Sequence, residues 1–187
     1  MGYPKPLLMA DGETFAARLA GLMLGVVARL IVVLGAYDAE VRAVLPQDSR
    51  ITVVRNSDYH AGQLSSLKCG LAAVSADAQA VMVHLIDHPL VRRGTFESTC
   101  QAFLRHRAPI TIARCAGKRG HPVIFARGVF SELTQAPLDA GARVVVNRDP
   151  ARVFYVDVDD PGVSMDLDTP EDVARAGLAA PPHKSGA

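Results

Sequence analysis

The chain has 187 residues, enough for one domain with a substantial core, and its 49% hydrophobic and 21% charged residues are typical of a globular protein. Its formal net charge is only +1, and no long run of one sign occurs. These values give no electrostatic reason to expect a nucleic acid or an acidic membrane as partner, so we expect a small molecule instead.

Cysteine usage and hydropathy indicate the cellular compartment. Cys69, Cys100 and Cys115 are an odd number at wide spacing and match neither a zinc site nor a disulfide framework. The apolar stretch 19–34 is interrupted by Arg29, and its charge-free part is far shorter than the roughly 20 residues that a bilayer requires. We therefore predict a cytoplasmic protein without a membrane span.

Apolar residues alternate along the chain between helical and strand-like spacing. The first unit is a helix that follows Thr14 as N-cap, and a strand that ends at Gly35 comes next. Predicted helices cover 15–26, 41–45, 64–74 and 96–104, and predicted strands cover 30–34, 51–54, 80–86 and 110–113. This order predicts one three-layer α/β/α sandwich with parallel pairing, in which ligands bind beyond the carboxyl ends of the strands.

The predicted strand 80–86 is followed directly by Asp87, His88 and Pro89. A run rich in β-branched residues that a proline stops is typical of a strand buried on both faces. Asp87 would then lie at the carboxyl end of that strand. It is either a turn-forming residue or a functional carboxylate, and the local sequence alone favours neither.

Two polar segments are suited to binding an anion. Ser65 and Ser66 follow Gly62 at the start of a predicted helix, where free amides and hydroxyls bind phosphate, although a serine there is also a common N-cap. Segment 117–125 contains two cationic residues between glycines, which is typical either of a flexible basic loop or of an exposed turn. No Gly-x-Ser-x-Gly motif surrounds the serines, which argues against a hydrolase.

The last candidate segment is 166–172. Thr169 as N-cap, Pro170 at the first helical position and Asp172 at the third predict a helix start, which leaves Asp166 without a structural explanation. Asp87 and Asp166 would lie at the ends of different elements near phosphate-binding loops. Mg²⁺ prefers one or two carboxylates together with substrate phosphates, so the pair predicts a magnesium site.

These segments, in this order, resemble the MobA-like nucleotidyltransferases, particularly their molybdenum cofactor cytidylyltransferase branch. The stretch Met1-Gly2-Tyr3-Pro4-Lys5-Pro6-Leu7-Leu8 resembles the end of the nucleotide-binding signature of that family. Residues 62–71, 87–91, 120–123 and 166–172 resemble later sequence motifs of the family. The resemblance covers about residues 1–178 as one domain, and we expect 179–187 to form a flexible tail.

The resemblance implies a Rossmann-like GT-A nucleotidyltransferase fold and a Mg²⁺-dependent reaction. The reaction would transfer NMP, with CTP the favoured donor, to a phosphorylated acceptor such as molybdopterin and release pyrophosphate; a molybdoenzyme or its chaperone would be the protein partner. By position, the resemblance implies that Lys5 binds the triphosphate and takes part in catalysis, and that Ser65 and Ser66 line the nucleotide pocket. It implies that Asp87 is catalytic and binds the metal, with Asp166 as a second metal ligand. His121 and the basic loop before it would bind the acceptor.

The chain departs from the family pattern in two places. A first buried strand and a loop of the form Ala-Ala-Gly-x-Ser-x-Arg would precede Met1, and both are missing here. An internal methionine taken as the start, a shortened chain or a real loss of activity would each explain this. His88 stands where cytidylyltransferases often carry glutamine. A sugar-phosphate acceptor and a catalytically impaired cofactor-binding or delivery protein are therefore the alternatives.

Overall fold

The computed structural model describes residues 4–178. The strands are β1 (Met9–Ala10), β2 (Glu13–Thr14), β3 (Leu30–Leu34), β4 (Ile51–Arg55), β5 (Ala80–Val83), β6 (Ile110–Cys115), β7 (Lys118–Ala126) and β8 (Val153–Asp157). The α-helices are α1 (Phe15–Leu24), α2 (Asp38–Val44), α3 (Gln63–Ala72), α4 (Arg93–His106), α5 (Phe130–Gln135), α6 (Arg143–Asn147) and α7 (Pro170–Arg175). The predicted tail, 179–187, and residues 1–3 lie outside the described residues.

Strands β3 to β8 form two sheets. Strands β3 and β4 pair in parallel, and the second sheet has the order β5-β7-β6-β8. Strands β6 and β8 are parallel, whereas β7 runs antiparallel to both β5 and β6. The α/β class with a mostly parallel sheet is confirmed, and β7 is the reversed strand.

Two apolar clusters cover opposite faces of the strands. One cluster joins α1, α2 and β3 to Phe96 on α4, and the other joins α3, α5 and α6 to β6 and β7. Met82 of β5 packs against the first cluster, and its neighbours Val81 and Val83 pack against the second. Since successive side chains of a strand point to opposite faces, the helices form two layers with the strands between them.

An open space separates the two sheets. Among the described strands, β3 pairs only with β4 and β5 pairs only with β7, so no hydrogen-bond ladder joins β3 to β5. The space between them belongs to a cavity of about 1380 Å³, and we call this whole cavity the inter-sheet slot. Residues of β3, β5, α1 and α3 line the slot.

The slot explains an error in the sequence prediction. The predicted strand 80–86 ends at Val83, and all four residues of β5 are half-buried rather than buried on both faces. Strand β6, which has a partner on each side, is buried at Ile110, Ile112 and Ala113. Within residues 4–178, β5 has a strand partner on one side only, so its other edge borders the slot.

Local signals at the helix ends were read correctly. Thr14 accepts a hydrogen bond from the backbone N–H of Ala17 at the start of α1. Thr169 and Asp172 form a reciprocal capping box at the start of α7, with Pro170 at the first helical position. No helix within residues 4–178 is both long enough and apolar enough to span a membrane.

Of the two interpretations of segment 117–125, a flexible basic loop or an exposed turn, the structure bears out the exposed turn. Lys118 and Arg119 belong to β7, where they pair with Cys115 and Arg114 of β6. Gly117, with a φ of 78°, lies in the tight turn that joins the two strands. This segment is therefore a β-hairpin, and hydrogen bonding within the sheet fixes its backbone.

Candidate active site

Two distant segments meet where the chain leaves β5. Asp87 lies in a turn four residues after Val83, and its backbone carbonyl accepts a hydrogen bond of 2.9 Å from the N–H of Leu167. Leu167 is buried with Phe15 and Val173 in a small core cluster, which anchors this contact. The chain on either side of Leu167 is thereby held beside the turn that carries Asp87.

His88 lies between the two carboxylates that the sequence predicts as metal ligands. Its Nε2 is 2.9 Å from Oδ1 of Asp166 and 3.9 Å from Oδ1 of Asp87. The ring is buried, whereas 58% of the Asp166 side chain is exposed. Asp87 and Asp166 therefore both lie near Nε2 of the His88 ring. Asp87 is the more buried of the two carboxylates, and Asp166 is the more exposed.

The Asp87 carboxylate has an environment that a cation would satisfy. Its Oδ1 atom is buried and has no hydrogen-bond partner among the described residues. Burial raises the pKa of Asp87 above its usual value, and the interactions with His88 and Lys5 oppose that rise. An ionised, buried carboxylate oxygen without a donor is costly unless a positive charge faces it. Asp87 therefore fits a metal ligand better than a turn-forming residue.

Protein ligands alone do not complete a metal site here. No group of three or more His, Cys, Asp and Glu side chains in residues 4–178 is arranged to hold a metal ion. Mg²⁺ usually keeps several waters and takes only one or two carboxylates, with substrate phosphates as further ligands. Asp87 and Asp166 match that ligand set, since each offers only carboxylate oxygens as ligand atoms.

Lys5 lies at the edge of the same cluster. Its Nζ is 2.5 Å from Oδ1 of Asp168, and its charge acts on Asp87 as well. Leu8 packs with Leu167 in the small core cluster, so packing fixes the segment that carries Lys5 next to 166–168. Asp168 is not among the residues predicted from the sequence, although its position two residues after Asp166 is a signal that both carboxylates serve one site.

Three imidazoles surround the inner side of the cluster. The ring centroid of His121 is 5.0 Å from that of His88 and 5.9 Å from that of His84. Burial lowers the pKa of His84 to about 3 and that of His121 to about 4, and repulsion between the rings adds to both shifts. Both rings are neutral at pH 7. Neutral His121 donates from Nδ1 to the carbonyl of Val83 at 3.3 Å, which leaves its Nε2 as an acceptor.

His84 was not a candidate in the sequence analysis. Its Nε2 contacts the carbonyl of His88 at 3.0 Å, its ring packs edge-on against Phe96, and its buried Nδ1 has no partner among the described residues. A histidine inside a run of aliphatic strand residues was the available signal.

The two predicted pocket serines lie at the start of α3 and face different spaces. Asn56 donates from Nδ2 to Oγ of Ser65 at 2.8 Å and to Oγ of Ser66 at 3.1 Å. Ser65 is buried and donates to the carbonyl of Gly62, so its hydroxyl stabilises the helix start. Ser66 lines the inter-sheet slot together with Asp87.

A depression with several polar residues in its lining adjoins the slot at Ser65. Its volume is about 730 Å³, and Asn56, His60 and Lys68 also line it. Leu138 lines both this depression and the slot, so the two spaces are neighbours. The structure thus gathers Lys5, Asp87, Asp166 and His121 around His88 and places Ser65 in the adjoining space.

Comparison with known proteins gives one consistent result. Residues 1–153 match the MobA-like NTP transferase domain. A molybdenum cofactor cytidylyltransferase from Escherichia coli K12 is 26% identical over 148 residues, which are 79% of this chain and 73% of that protein. Each of these matches extends over most of the described fold.

Solved structures agree with the sequence matches. The crystal structure of Rv0371c from Mycobacterium tuberculosis H37Rv is 29% identical, with a TM-score of 0.76 over 94% of this chain and 90% of its own. The complex of Rv0371c with manganese is 27% identical, with a TM-score of 0.70 over 92% of this chain and 90% of its own. The chain therefore belongs to the family of the MobA-like NTP transferase domain and is a nucleotidyltransferase.

Proposed function

We propose that the protein transfers CMP from CTP to the phosphate of a molybdopterin-type acceptor, with Mg²⁺ as cofactor and pyrophosphate as second product. The name of the relative from Escherichia coli supports the cytidylyl donor and the acceptor class. The manganese complex of the similar mycobacterial protein supports a divalent ion. Three cysteines that form no disulfide are consistent with a cytoplasmic location, which is part of the proposal.

The observation that carries the proposal is Oδ1 of Asp87, which is buried beside His88 and Asp166 and has no hydrogen-bond partner in the part of the chain that the structure describes. We assign the metal to Asp87 and Asp166, with Asp87 as the inner ligand. Mg²⁺ bound there would neutralise negative charge on the transferring phosphoryl group. The two carboxylates therefore suit a metal ion whose further ligands are phosphate oxygens of the substrate.

Lys5 is assigned to the triphosphate. It lies on the exposed side of the cluster, where its ammonium now pairs with Asp168. A triphosphate carries more negative charge than one carboxylate, so it would compete for Lys5 and leave Asp168 to water. Side-chain exposures of 27% for Lys5 and 61% for Asp168 mean that the existing ion pair is weak enough to exchange.

The acceptor is assigned to the side of His121. The second pKa of a phosphate monoester is about 6, so the attacking oxygen is largely ionised at neutral pH and needs no strong base. His121 is neutral there and offers Nε2 as a hydrogen-bond acceptor, which suits positioning rather than proton removal. Ser65 and Ser66, held by Asn56, are assigned to the nucleotide pocket.

Two measurements test this function. Electron paramagnetic resonance of Mn²⁺ titrated into the chain reads the metal site without catalysis. We expect Asp87→Asn to weaken Mn²⁺ binding by about tenfold or more, since even changes around metal ligands have effects of that size. Glu97→Gln, which changes an exposed carboxylate on α4, is the matched control. Equal Mn²⁺ affinity of Asp87→Asn and the unchanged chain would show that the metal assignment is wrong.

The second measurement is pyrophosphate release with each of the four NTPs and with molybdopterin or a sugar phosphate as acceptor. Release that requires both CTP and molybdopterin is the expected result. Release with a sugar phosphate instead would establish the alternative acceptor class and refute the molybdopterin assignment.

A further inference from the structure

The His88 side chain connects Asp166 to the Asp87 turn. Its Nε2 lies 2.9 Å from Oδ1 of Asp166 and 3.9 Å from Oδ1 of Asp87, and no other ion pair within residues 4–178 involves Asp166. The hydrogen bond from Leu167 to the Asp87 carbonyl fixes only the backbone at this point. The orientation of the Asp166 carboxylate therefore depends on the His88 ring.

Two observations place a proton on Nε2 of His88. Its Nδ1 is buried and has no hydrogen-bond partner among the described residues, so an N–H at that nitrogen would be unsatisfied. Nε2 faces two carboxylates, and a lone pair there would be repelled by both. The neutral ring with its proton on Nε2 and the charged ring both present an N–H to these oxygens. The attraction therefore exists in either charge state of the ring.

The His88 ring has little room to move. Only 8% of its side chain is exposed, and the centroid of the His121 ring is 5.0 Å away. The backbone carbonyl of His88 accepts a hydrogen bond from Nε2 of His84 at 3.0 Å. The next carbonyl, that of Pro89, accepts from Nε of Arg18 at 3.2 Å. Side chains from α1 and from the residue after β5 thus hold the backbone that carries this ring.

The Asp166 carboxylate is much less constrained than the ring. Its side chain is 58% exposed, compared with 25% for Asp87. An exposed carboxylate loses rotamer freedom when it binds a metal ion, and this loss weakens binding. Two carboxylates that share one ion also repel each other before the ion arrives. An N–H group near both oxygens reduces both costs, because it orients the exposed carboxylate and offsets part of the negative charge.

We propose that His88 is a positioning residue for the metal ion: its Nε2–H group holds the Asp166 carboxylate beside that of Asp87, and the ring itself does not coordinate the ion. This inference rests on the proposed assignment of the metal to Asp87 and Asp166. A ring nitrogen that carries a proton is not available as a metal ligand. Within residues 4–178, no group of three His, Cys, Asp or Glu side chains is arranged to hold a metal ion, which agrees with an indirect role.

Mn²⁺ binding to matched variants tests this role without catalysis. Glutamine places an amide N–H as many bonds from the backbone as Nε2 of histidine, and methionine has the same length without a donor. In electron paramagnetic resonance titrations, we expect His88→Met to weaken Mn²⁺ binding by about tenfold or more and His88→Gln to stay within about threefold of the unchanged chain. Equal losses in the two variants would show a packing role only and would overturn the proposal. Unchanged affinity in His88→Met would overturn it as well.

A double-mutant cycle tests whether His88 acts through Asp166. When Asp166→Ala is already present, His88→Met should weaken Mn²⁺ binding by less than about twofold further, because the carboxylate that the ring orients is gone. A further loss as large as that in the otherwise unchanged chain would mean that the ring acts on the ion by another route, and the proposal would be wrong.

Pulsed electron paramagnetic resonance of Mn²⁺ bound to the unchanged chain needs no variant, so it decides the question even if His88→Met does not fold. We expect no coupling from a directly coordinated nitrogen. Such a coupling, lost in His88→Gln, would make His88 a ligand and overturn its positioning role. The two proposals fail separately: unchanged Mn²⁺ affinity in Asp87→Asn refutes the metal assignment itself. Weakened binding in Asp87→Asn together with unchanged binding in His88→Met refutes only the role of His88.

Discussion

Asp160 offers a direct test of how the active-site turn is supported. Its side chain is 4% exposed, and its Oδ2 accepts from the backbone N–H of Arg92 at 2.8 Å and from Oγ1 of Thr95 at 2.6 Å. Its Oδ1 accepts from the N–H of Gly162 at 3.1 Å. Asp160 thus caps the start of α4, which follows the Asp87 turn, from a segment more than 60 residues away.

We expect Asp160→Ala to lower the free energy of unfolding by about 3 kcal/mol. Loss of a helix cap contributes about 1 kcal/mol, and the two other donors, left buried without a partner, contribute about 1 kcal/mol each. Asp160→Asn keeps one acceptor oxygen and should lose about half as much. Urea unfolding at pH 7 measures both, with Asp159→Asn, an exposed neighbour, as control. A loss below about 1 kcal/mol in Asp160→Ala would refute this account of the cap.

Three further predictions follow from the site and its packing. Lys5→Met should weaken equilibrium binding of CTP by about tenfold, as expected for a lost charge-assisted contact; unchanged affinity would contradict its role. Because burial raises the pKa of Asp87, the free energy of unfolding of the metal-free protein should fall as pH rises from the ordinary carboxyl pKa through the raised one. Urea unfolding at several pH values measures this dependence, and Asp87→Asn should remove it. Gly120→Ala would place a Cβ 1.8 Å from the carbonyl oxygen of Val163, so it should lower the melting temperature strongly, whereas Gly128→Ala, with nothing within 4 Å, should not.

The sequence predicted the elements whose signals are local. The spacing of apolar residues and the N-cap Thr14 defined α1, and Thr169, Pro170 and Asp172 defined the start of α7. These signals act within one or two helical turns, so no distant contact alters them. The order of helices and strands likewise predicted the α/β class correctly.

Strand burial and direction depended on contacts that the sequence does not contain. The length and burial of β5 were wrong because an apolar run does not report whether a neighbouring strand is present. The antiparallel course of β7 follows from the tight turn at Ala116 and Gly117, both with positive φ, where the sequence left a flexible basic loop and an exposed turn open. Gly117 was a signal for that hairpin.

At the site, single residues were easier to predict than their partners. The positions of Asp87 after β5 and of Asp166 before α7 predict both as metal ligands, and both carboxylates lie near Nε2 of His88. The pairing of Lys5 with Asp168 crosses 163 positions of sequence, so neither local pattern contained it. The catalytic roles of Lys5 and Asp87, the metal-binding role of Asp166 and the binding roles of Ser65, Ser66 and His121 stay predictions.

The open space between β3 and β5 has a consequence for cooperativity. Hydrogen-bonded ladders transmit order across a sheet, and among the described strands no ladder joins the pair β3 and β4 to the four-stranded sheet. Side-chain packing, which includes contacts of Met82 and Ile86 with the cluster around β3, then couples the melting of the two units. Calorimetry of the 187-residue chain should therefore give a van't Hoff enthalpy smaller than the calorimetric enthalpy, whereas a protein with one continuous sheet would give equal values.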